Sequence, residues 1–334
     1  MKKIREHLRQ FAINTFTILI LASCASPDKP APEQHRLSFG EDGKFKIVQF
    51  TDTHWIHGAS NVPKTVEIIK TVLAAEKPDL VVVTGDICIR LTNREPWTEF
   101  AKIFEEAKIP FTVTMGNHDA EPGTEITRSE IFDILLRSPY FVGEKGPKDI
   151  HGVGNFVLPV YGKNNRPAAL LYCFDSHSLT VHPKIGCHDE PVYFDQIAWY
   201  NEQSARYTAE NDGKPLPALA FMHRPFPEIR DIIGKETTIG HHGERCSTPV
   251  YNSGLFASFL DKQDVMGVLF GHDHANDYIG VLHHIVLGYG RITCSDMEDD
   301  LESGARVIEL YENQFVFDTW VRTLSGVELF YNYQ

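Results

Sequence analysis

Short apolar runs rich in β-branched residues alternate along the first half of the chain with stretches of helical periodicity. KFKIVQF (44–50), LVVVT (80–84) and FTVT (111–114) read as strands. The second is apolar almost throughout, the pattern of a strand covered on both faces. Between them, 64–76 places Val66, Ile69, Val72 and Leu73 at helical spacing, and 95–108 reads as a second amphipathic helix. This order predicts repeated βαβ units and a layered α/β domain with a largely parallel core. From residue 155 the pattern becomes richer in strands: 155–160, 168–174, 218–222, 265–270, 282–287, 306–311 and 315–321, with helices at 195–209 and 253–262. The stretches 176–194 and 234–250, rich in His, Gly and Pro, read as functional loops. No linker divides residues 38–334, so a single domain is expected there.

The first residues carry a different pattern. Lys2, Lys3, Arg5 and Arg9 precede an apolar stretch from Phe11 to Ala22, too short to span a bilayer as a helix of roughly 20 residues. Residues 1–23 therefore read as a secretory signal. The sequence Leu21-Ala22-Ser23-Cys24 resembles a bacterial lipobox, in which Cys24 is lipidated and becomes the mature N-terminus. An ordinary signal cleaved nearby would instead leave Cys24 free. Residues 24–37 would then form the lipidated Cys24 and a Pro-rich tether. The expected location is extracytoplasmic, in the periplasm or on the cell surface of a bacterium, with membrane contact through the lipid only.

Composition narrows the choice of partner. The chain has 334 residues and a formal net charge of −13, and the signal's four basic groups and one Glu leave −16 for the rest. So acidic a domain has no general attraction for nucleic acid or anionic lipid. A small phosphorylated substrate remains compatible, because bound metal ions would dominate the local field. Five cysteines follow Cys24 (Cys88, Cys173, Cys187, Cys246 and Cys294), none in a CxxC pair, which argues against a thiolate zinc site. Cys187 and Cys246 lie in two loops that a disulfide could join.

The chemistry is concentrated where the strands end. Asp52-Thr53-His54 follows the first strand, Gly85-Asp86 the second and Gly116-Asn117-His118-Asp119 the third; Met222-His223 follows ALAF, and Gly271-His272-Asp273-His274 follows VMGVLF. Carboxylate, imidazole and amide groups at successive strand ends can converge on one edge of a sheet, the donor set preferred by N/O-binding metals. In an extended segment i and i+2 point the same way, so Asp52 and His54 can share an ion. The same spacing relates His272 to His274, which could serve different ions. Gly85 permits a tight turn and close approach, and Asp86 can bridge two ions with its two oxygens. Asn117 offers a neutral oxygen, and His223 another imidazole. Each motif alone is weak, but five in this order make chance a poor explanation.

The set D-x-H, G-D, G-N-H-D, H, G-H-x-H is similar to that of the calcineurin-like metallophosphoesterases. FMHRPFPE, NSGLFASFL, VLFGHDHANDY and GARVIEL resemble the purple-acid-phosphatase-like branch. The resemblance implies a four-layer α/β/β/α sandwich, with two mixed sheets flanked by helices. It assigns Asp52, His54, Asp86 and His274 to one metal, and Asp86, Asn117, His223 and His272 to another. Two divalent or trivalent ions are implied: Fe, Mn or Zn. Purple acid phosphatases carry a tyrosine three residues after the GD aspartate, where this chain has Ile89, and a glycine where it has His54. An imidazole thus replaces the phenolate, and a colourless or weakly coloured protein is expected.

The expected activity is hydrolysis of a phosphomonoester or small phosphodiester by a hydroxide bridging two metals. His118 is placed to contact the phosphate or protonate the leaving group, with Asp119 holding its ring. The competing reading is a surface binding lipoprotein whose metal site is structural or vestigial. Among the other histidines, His283 and His284 fall in an expected strand, where packing is the expected role. His177 and the 241–246 loop could rim the pocket, and Arg224 either contacts substrate anions or covers the surface.

Overall fold

The three apolar runs of the first half form β1 (Lys44–Phe50), β2 (Leu80–Thr84) and β3 (Phe111–Thr114), parallel and side by side. The computed structural model describes residues 35–89, 94–121, 124–295 and 301–334. The expected signal, Cys24 and the tether up to residue 34 lie outside the described residues. Helices α1 (Val62–Glu76) and α2 (Glu95–Ala107) connect the strands, each with a proline in its first turn, where the missing N–H breaks no helical bond. Buried Phe100 and Phe104 of α2 pack edge-on, and Phe104 stacks on Phe111 of β3. Burying each such ring contributes about 1.5–3 kcal/mol.

After α3 (Arg128–Leu135), the chain builds a second sheet. β4 (Phe156–Tyr161) and β5 (Pro167–Cys173) come first, followed by a separate hairpin of β6 (Leu179–His182) and β7 (Gly186–Asp189). Helix α4 (Phe194–Glu210), β8 (Ala218–Phe221), α5 (Leu255–Lys262), β9 (Val265–Phe270), β10 (Ile279–Leu282) and β11 (Ile285–Tyr289) complete it. Its order is β10-β11-β9-β8-β5-β4, parallel in the middle and antiparallel at both edges. The last strands, β12 (Gly304–Tyr311), β13 (Phe317–Thr323) and β14 (Val327–Tyr333), return to the first sheet as an antiparallel meander beside β1, giving β14-β13-β12-β1-β2-β3. Both sheets are therefore mixed, with the expected parallel core confined to their centres.

Alternation along β5 shows how the layers stack. Leu171 and Cys173 join a core shared with β1, β2 and α1, whereas Leu170 and Tyr172 join a second core with α4 and α5. There the hydroxyls of Tyr172 and Tyr200 both donate to the buried Asp264 carboxylate, at 2.9 and 2.5 Å.

Several local expectations change. Residues 282–287 are two strands, not one: His283 and His284 form the turn between β10 and β11, both exposed and at positive φ (47° and 68°). A two-residue hairpin turn of this kind requires such backbone angles, so packing is not their role. The stretch expected as loop at 176–194 contains β6 and β7. Helix α3 and strand β14 were not expected. Leu37, at the end of the expected tether, is buried and its carbonyl accepts from Tyr161. Cys187 and Cys246 are not joined: Cys187 is exposed, and buried Cys246 lies 3.0 Å from the Tyr278 hydroxyl.

Candidate metal centre

Each of the five motifs lies at the C-terminal end of a parallel strand. β1, β2 and β3 deliver Asp52 with His54, Asp86, and Asn117, while β8 and β9 deliver His223, and His272 with His274. Their donor atoms form two groups, Asp52–His54–His274 and Asp86–His223–His272, each with its atoms within 4.8 Å of one another. Asn117 Oδ1 lies 3.1 Å from His223 Nε2, beside the second group. Four of these residues have left-handed backbone: Asp52 (φ 50°), His54 (44°), Asp86 (46°) and His272 (80°). Such conformations are unfavourable for residues with a Cβ and collect where geometry serves function. They persist because the loops hold each other. The amides of Asp52, His54 and Trp55 donate to the carbonyls of Gly85, Asp86 and Ile87 at 3.1, 3.1 and 2.8 Å.

Close approach accounts for the glycines. A Cβ on Gly85, itself at φ 82°, would stand 2.6 Å from the His223 ring, and one on Gly271 would stand 2.0 Å from Thr51 Oγ1. Neither contact can be relieved without moving a ligand or its support.

Hydrogen bonds leave particular atoms facing inward. Asp52 Oδ2 accepts from Thr51 Oγ1 (2.6 Å) and the His272 amide (3.0 Å), whereas buried Oδ1 has no partner. Buried His54 Nε2, 3.9 Å away, has none either. His274 Nε2 stands 3.4 Å from the same Asp52 Oδ1. His223 Nδ1 donates to the Thr84 carbonyl at 2.8 Å, which turns Nε2 toward Asp86 Oδ2 at 3.2 Å. Metal bonds of about 2.0–2.2 Å place neighbouring donors roughly 3.0–3.5 Å apart around one ion. The donor chemistry, the spacing and the two orphaned buried atoms all fit a pair of N/O-bound cations.

Asp86 connects the groups differently from the two-oxygen bridge expected. Its Oδ1 accepts from the His118 amide at 2.8 Å. Oδ2 alone lies between the groups, 4.0 Å from His54 Nε2 and 3.2 Å from His223 Nε2. Oδ2 is therefore the oxygen that would be shared if both groups held an ion.

The electrostatics register the same need for positive charge. Burial alone would raise the Asp52 and Asp86 carboxyls; the charge of His223 leads the interactions that outweigh it, and both are held below the usual range. Burial opposes charge on His223 too, yet Asp86 and Asp52 push its imidazole up to about 9.

His118 stands at the open side, with its side chain 43 % exposed and Nε2 4.0 Å from Asp86 Oδ2. Asp119 does not hold its ring. Asp119 is buried, with Oδ1 accepting from the amides of Ile87 (2.9 Å) and Cys88 (3.1 Å) and Oδ2 from that of Gly116 (2.9 Å). It staples the loop after β2 to the loop after β3, and burial beside Asp86 pushes its carboxyl up to about 6. The partner of His118 Nδ1 is Glu121, three residues on. The catalytic role expected of Asp119 is therefore corrected, and its orienting part passes to Glu121. The i, i+3 spacing within a turn was the available signal, masked by the acid directly beside His118.

His177 is buried rather than on the rim, with Nε2 2.7 Å from Gln196 Oε1. Arg224 is neither free for a substrate nor a surface cover. It is 2 % exposed and paired with Asp189 at 3.0 Å; it donates to the Ser178 carbonyl at 2.9 Å and to His272 Nε2 at 3.4 Å. Asp273, between two ligands, accepts from the Tyr289 hydroxyl (2.5 Å) and the Ser247 amide (3.1 Å), tying the 247 loop to the site.

The chain is similar to several known proteins. The family model described as calcineurin-like phosphoesterase matches residues 45–276. The chain is 30% identical over 318 residues to "Probable inactive purple acid phosphatase 29" of Arabidopsis thaliana, covering 86% of this chain and 81% of that protein. It is 32% identical over 340 residues to "Phosphatase DCR2" of Saccharomyces cerevisiae, covering 90% of this chain and 57% of that protein. Among solved structures, a dimetal phosphatase from Danio rerio shares the fold at a TM-score of 0.58 and 12% identity, over 87% of this chain and 99% of that one. GAP50, described as the anchor in the inner membrane complex of Plasmodium, shares it at 0.53 and 13%, over 87% and 89%.

Proposed function

Because the chain belongs to the calcineurin-like phosphoesterase family, we propose that it is a dinuclear metal-dependent hydrolase of small phosphate esters. One observation carries the reading. The single oxygen Asp86 Oδ2 lies 4.0 Å from His54 Nε2 in one ligand group, 3.2 Å from His223 Nε2 in the other and 4.0 Å from His118 Nε2 on the open side. Two ligand sets and a non-ligating acid–base group meet at one point. A structural metal site would need only the first two.

Asp52, His54, Asp86 and His274 would hold one cation, and Asp86, Asn117, His223 and His272 the other. When bound, a pair of such cations supplies Lewis acidity and a nucleophile at neutral pH. The protein's own residues do the rest. Asp52 and Asp86 contribute the only carboxylates of the set, so two cations of charge two or more leave the site positive toward a phosphate dianion. Glu121 fixes the His118 ring through Nδ1, so that Nε2 faces the open side and can pass its proton to the departing alkoxide. Fe, Mn and Zn all suit these donors. With Ile89 supplying no phenolate, an iron-loaded sample is expected to lack an intense visible charge-transfer band.

The test is release of 4-nitrophenol from 4-nitrophenyl phosphate and from its bis-ester after loading with Mn, Fe or Zn. Metal-dependent release from either supports the hydrolase. No release from either would favour the second reading, a binding protein with a structural site, which the printed name of the Arabidopsis relative, inactive, keeps in view. The proposal extends to location: a lipid on Cys24 would hold the domain outside the cytoplasm, acting on a small phosphorylated substrate rather than on nucleic acid. Cys24→Ser should then move the protein from the membrane to the soluble fraction.

A further inference from the structure

Beside the second ligand group, the β6–β7 hairpin and the loop around Cys246 border an open cavity of about 390 Å³. Its lining sets Leu179 and Val250 against Arg230, Arg245 and His188. Arg245 has no hydrogen-bond or ion-pair partner among the described residues. Its sequence neighbour Glu244 is engaged elsewhere, accepting from the Ala275 amide at 2.7 Å. Arg230 donates to the Cys246 carbonyl at 3.0 Å and has no carboxylate partner among the described residues. In a chain with 45 acidic and 32 basic residues, two arginines on one cavity that pair with no carboxylate among the described residues are out of keeping with the general charge balance.

The acid that does line the cavity is already neutralised. Asp189 pairs with Arg224 at 3.0 Å and accepts from Ser247 Oγ at 3.3 Å. His188 is 6% exposed; its Nδ1 lies 3.1 Å from the Gly186 carbonyl, and its buried Nε2 has no partner. An unpartnered buried ring nitrogen costs free energy unless a ligand completes it. The cavity also reaches the metal centre through two contacts. Arg224 touches both Asp189 and His272, and Ser247 donates its amide to Asp273, the residue between His272 and His274.

We propose that this cavity is a subsite for a second anionic group on the alcohol portion of the substrate. The ester to be cleaved would sit at the metals while a second phosphate engages Arg245 and Arg230, and the P–OH of its monoprotonated form donates to His188 Nε2, the acceptor left because Nδ1 donates to the Gly186 carbonyl. This deepens the phosphoesterase reading and rests on it. It also gives a reason for the arrangement of Arg224: by neutralising Asp189, it lets an anion cross from the metal centre to the cavity without meeting a bare carboxylate.

The test is equilibrium binding to the manganese-loaded protein of hexylphosphonate and hexane-1,6-bisphosphonate, neither of which can be hydrolysed. The bisphosphonate should bind about tenfold more tightly, the worth of one charge-assisted contact. Arg245→Gln should abolish that advantage while leaving hexylphosphonate binding and 4-nitrophenyl phosphate turnover unchanged. Arg245→Glu should reverse the preference. Arg245 is exposed and unpaired, so neither variant threatens the fold. Equal affinities in the unaltered protein, or equal weakening of both ligands by Arg245→Gln, would overturn the subsite. Arg245-dependent binding in a protein that never releases 4-nitrophenol would support the subsite and overturn the hydrolase reading instead.

Discussion

Asp86 and His118 show how neighbouring side chains divide the work of the site. Asp86 spends one oxygen on the His118 amide and leaves the other between the ligand groups, so Asp86→Asn should lower the occupancy of both metals, as read by elemental analysis after dialysis. His118→Ala should leave metal content intact and lower kcat by about 10²–10⁴-fold, the usual worth of a general acid. Glu121→Gln should keep the fold and lower turnover more mildly, by about tenfold. Asp119→Ala predicts the opposite pattern. It strips the acceptor from three amides, at about 1–3 kcal/mol for each buried group left unsatisfied, and urea unfolding would show the loss. These residues were legible because metal-binding types recur at strand ends. What sequence does not give is which oxygen faces which neighbour, and that is why Asp119 and Glu121 exchange roles.

At the scale of elements, α3 fastens the loops after β3 and β5. Its first residue, Arg128, pairs with buried Asp175 and donates to the carbonyls of Gly116 (2.7 Å) and His177 (3.1 Å). Burial alone would raise the Asp175 carboxyl, but Arg128, then His177 and two amides, hold it below its ordinary 3.8. A depressed carboxyl contributes stability that is complete above the ordinary value and lost as pH falls through the folded one. Arg128→Met leaves that charge buried and unpaired, at a cost of about 3–5 kcal/mol. The deficit should be largest near about pH 7 and shrink toward about pH 4 as Asp175 takes up a proton. Urea titrations at both values check the sign, and a deficit that grows on acidification would refute it. Helix α3 escaped the sequence pattern because it is only eight residues long, although its capping box, Thr127 with Glu130, was written in the chain. Strand β14 and the β6–β7 hairpin escaped because they lie at an edge or on the surface, where exposed positions blur alternation. Strands β2, β8 and β9 were plain, since burial on both faces makes them almost continuously apolar.

For the molecule as a whole, the ligands come from both sheets: β1, β2 and β3 on one side, β8 and β9 on the other. Bound cations would therefore add to the links between two layers that already share an apolar core and hydrogen bonds such as Gln49 Nε2 to the Phe270 carbonyl at 2.9 Å. Chelation should lower the melting temperature reversibly, because a ligand at about a hundredfold its Kd stabilises the native state by about 2.7 kcal/mol. No change in melting after complete metal removal would mean that the ions do not link the sheets. The most direct measurement is an anomalous-difference map from crystals grown with manganese. Two peaks roughly 3.5–4 Å apart are expected, one among Asp52, His54 and His274, the other among Asn117, His223 and His272, with Asp86 Oδ2 touching both. A single peak, or two with Asp86 bound to neither, would contradict the bridged dinuclear centre.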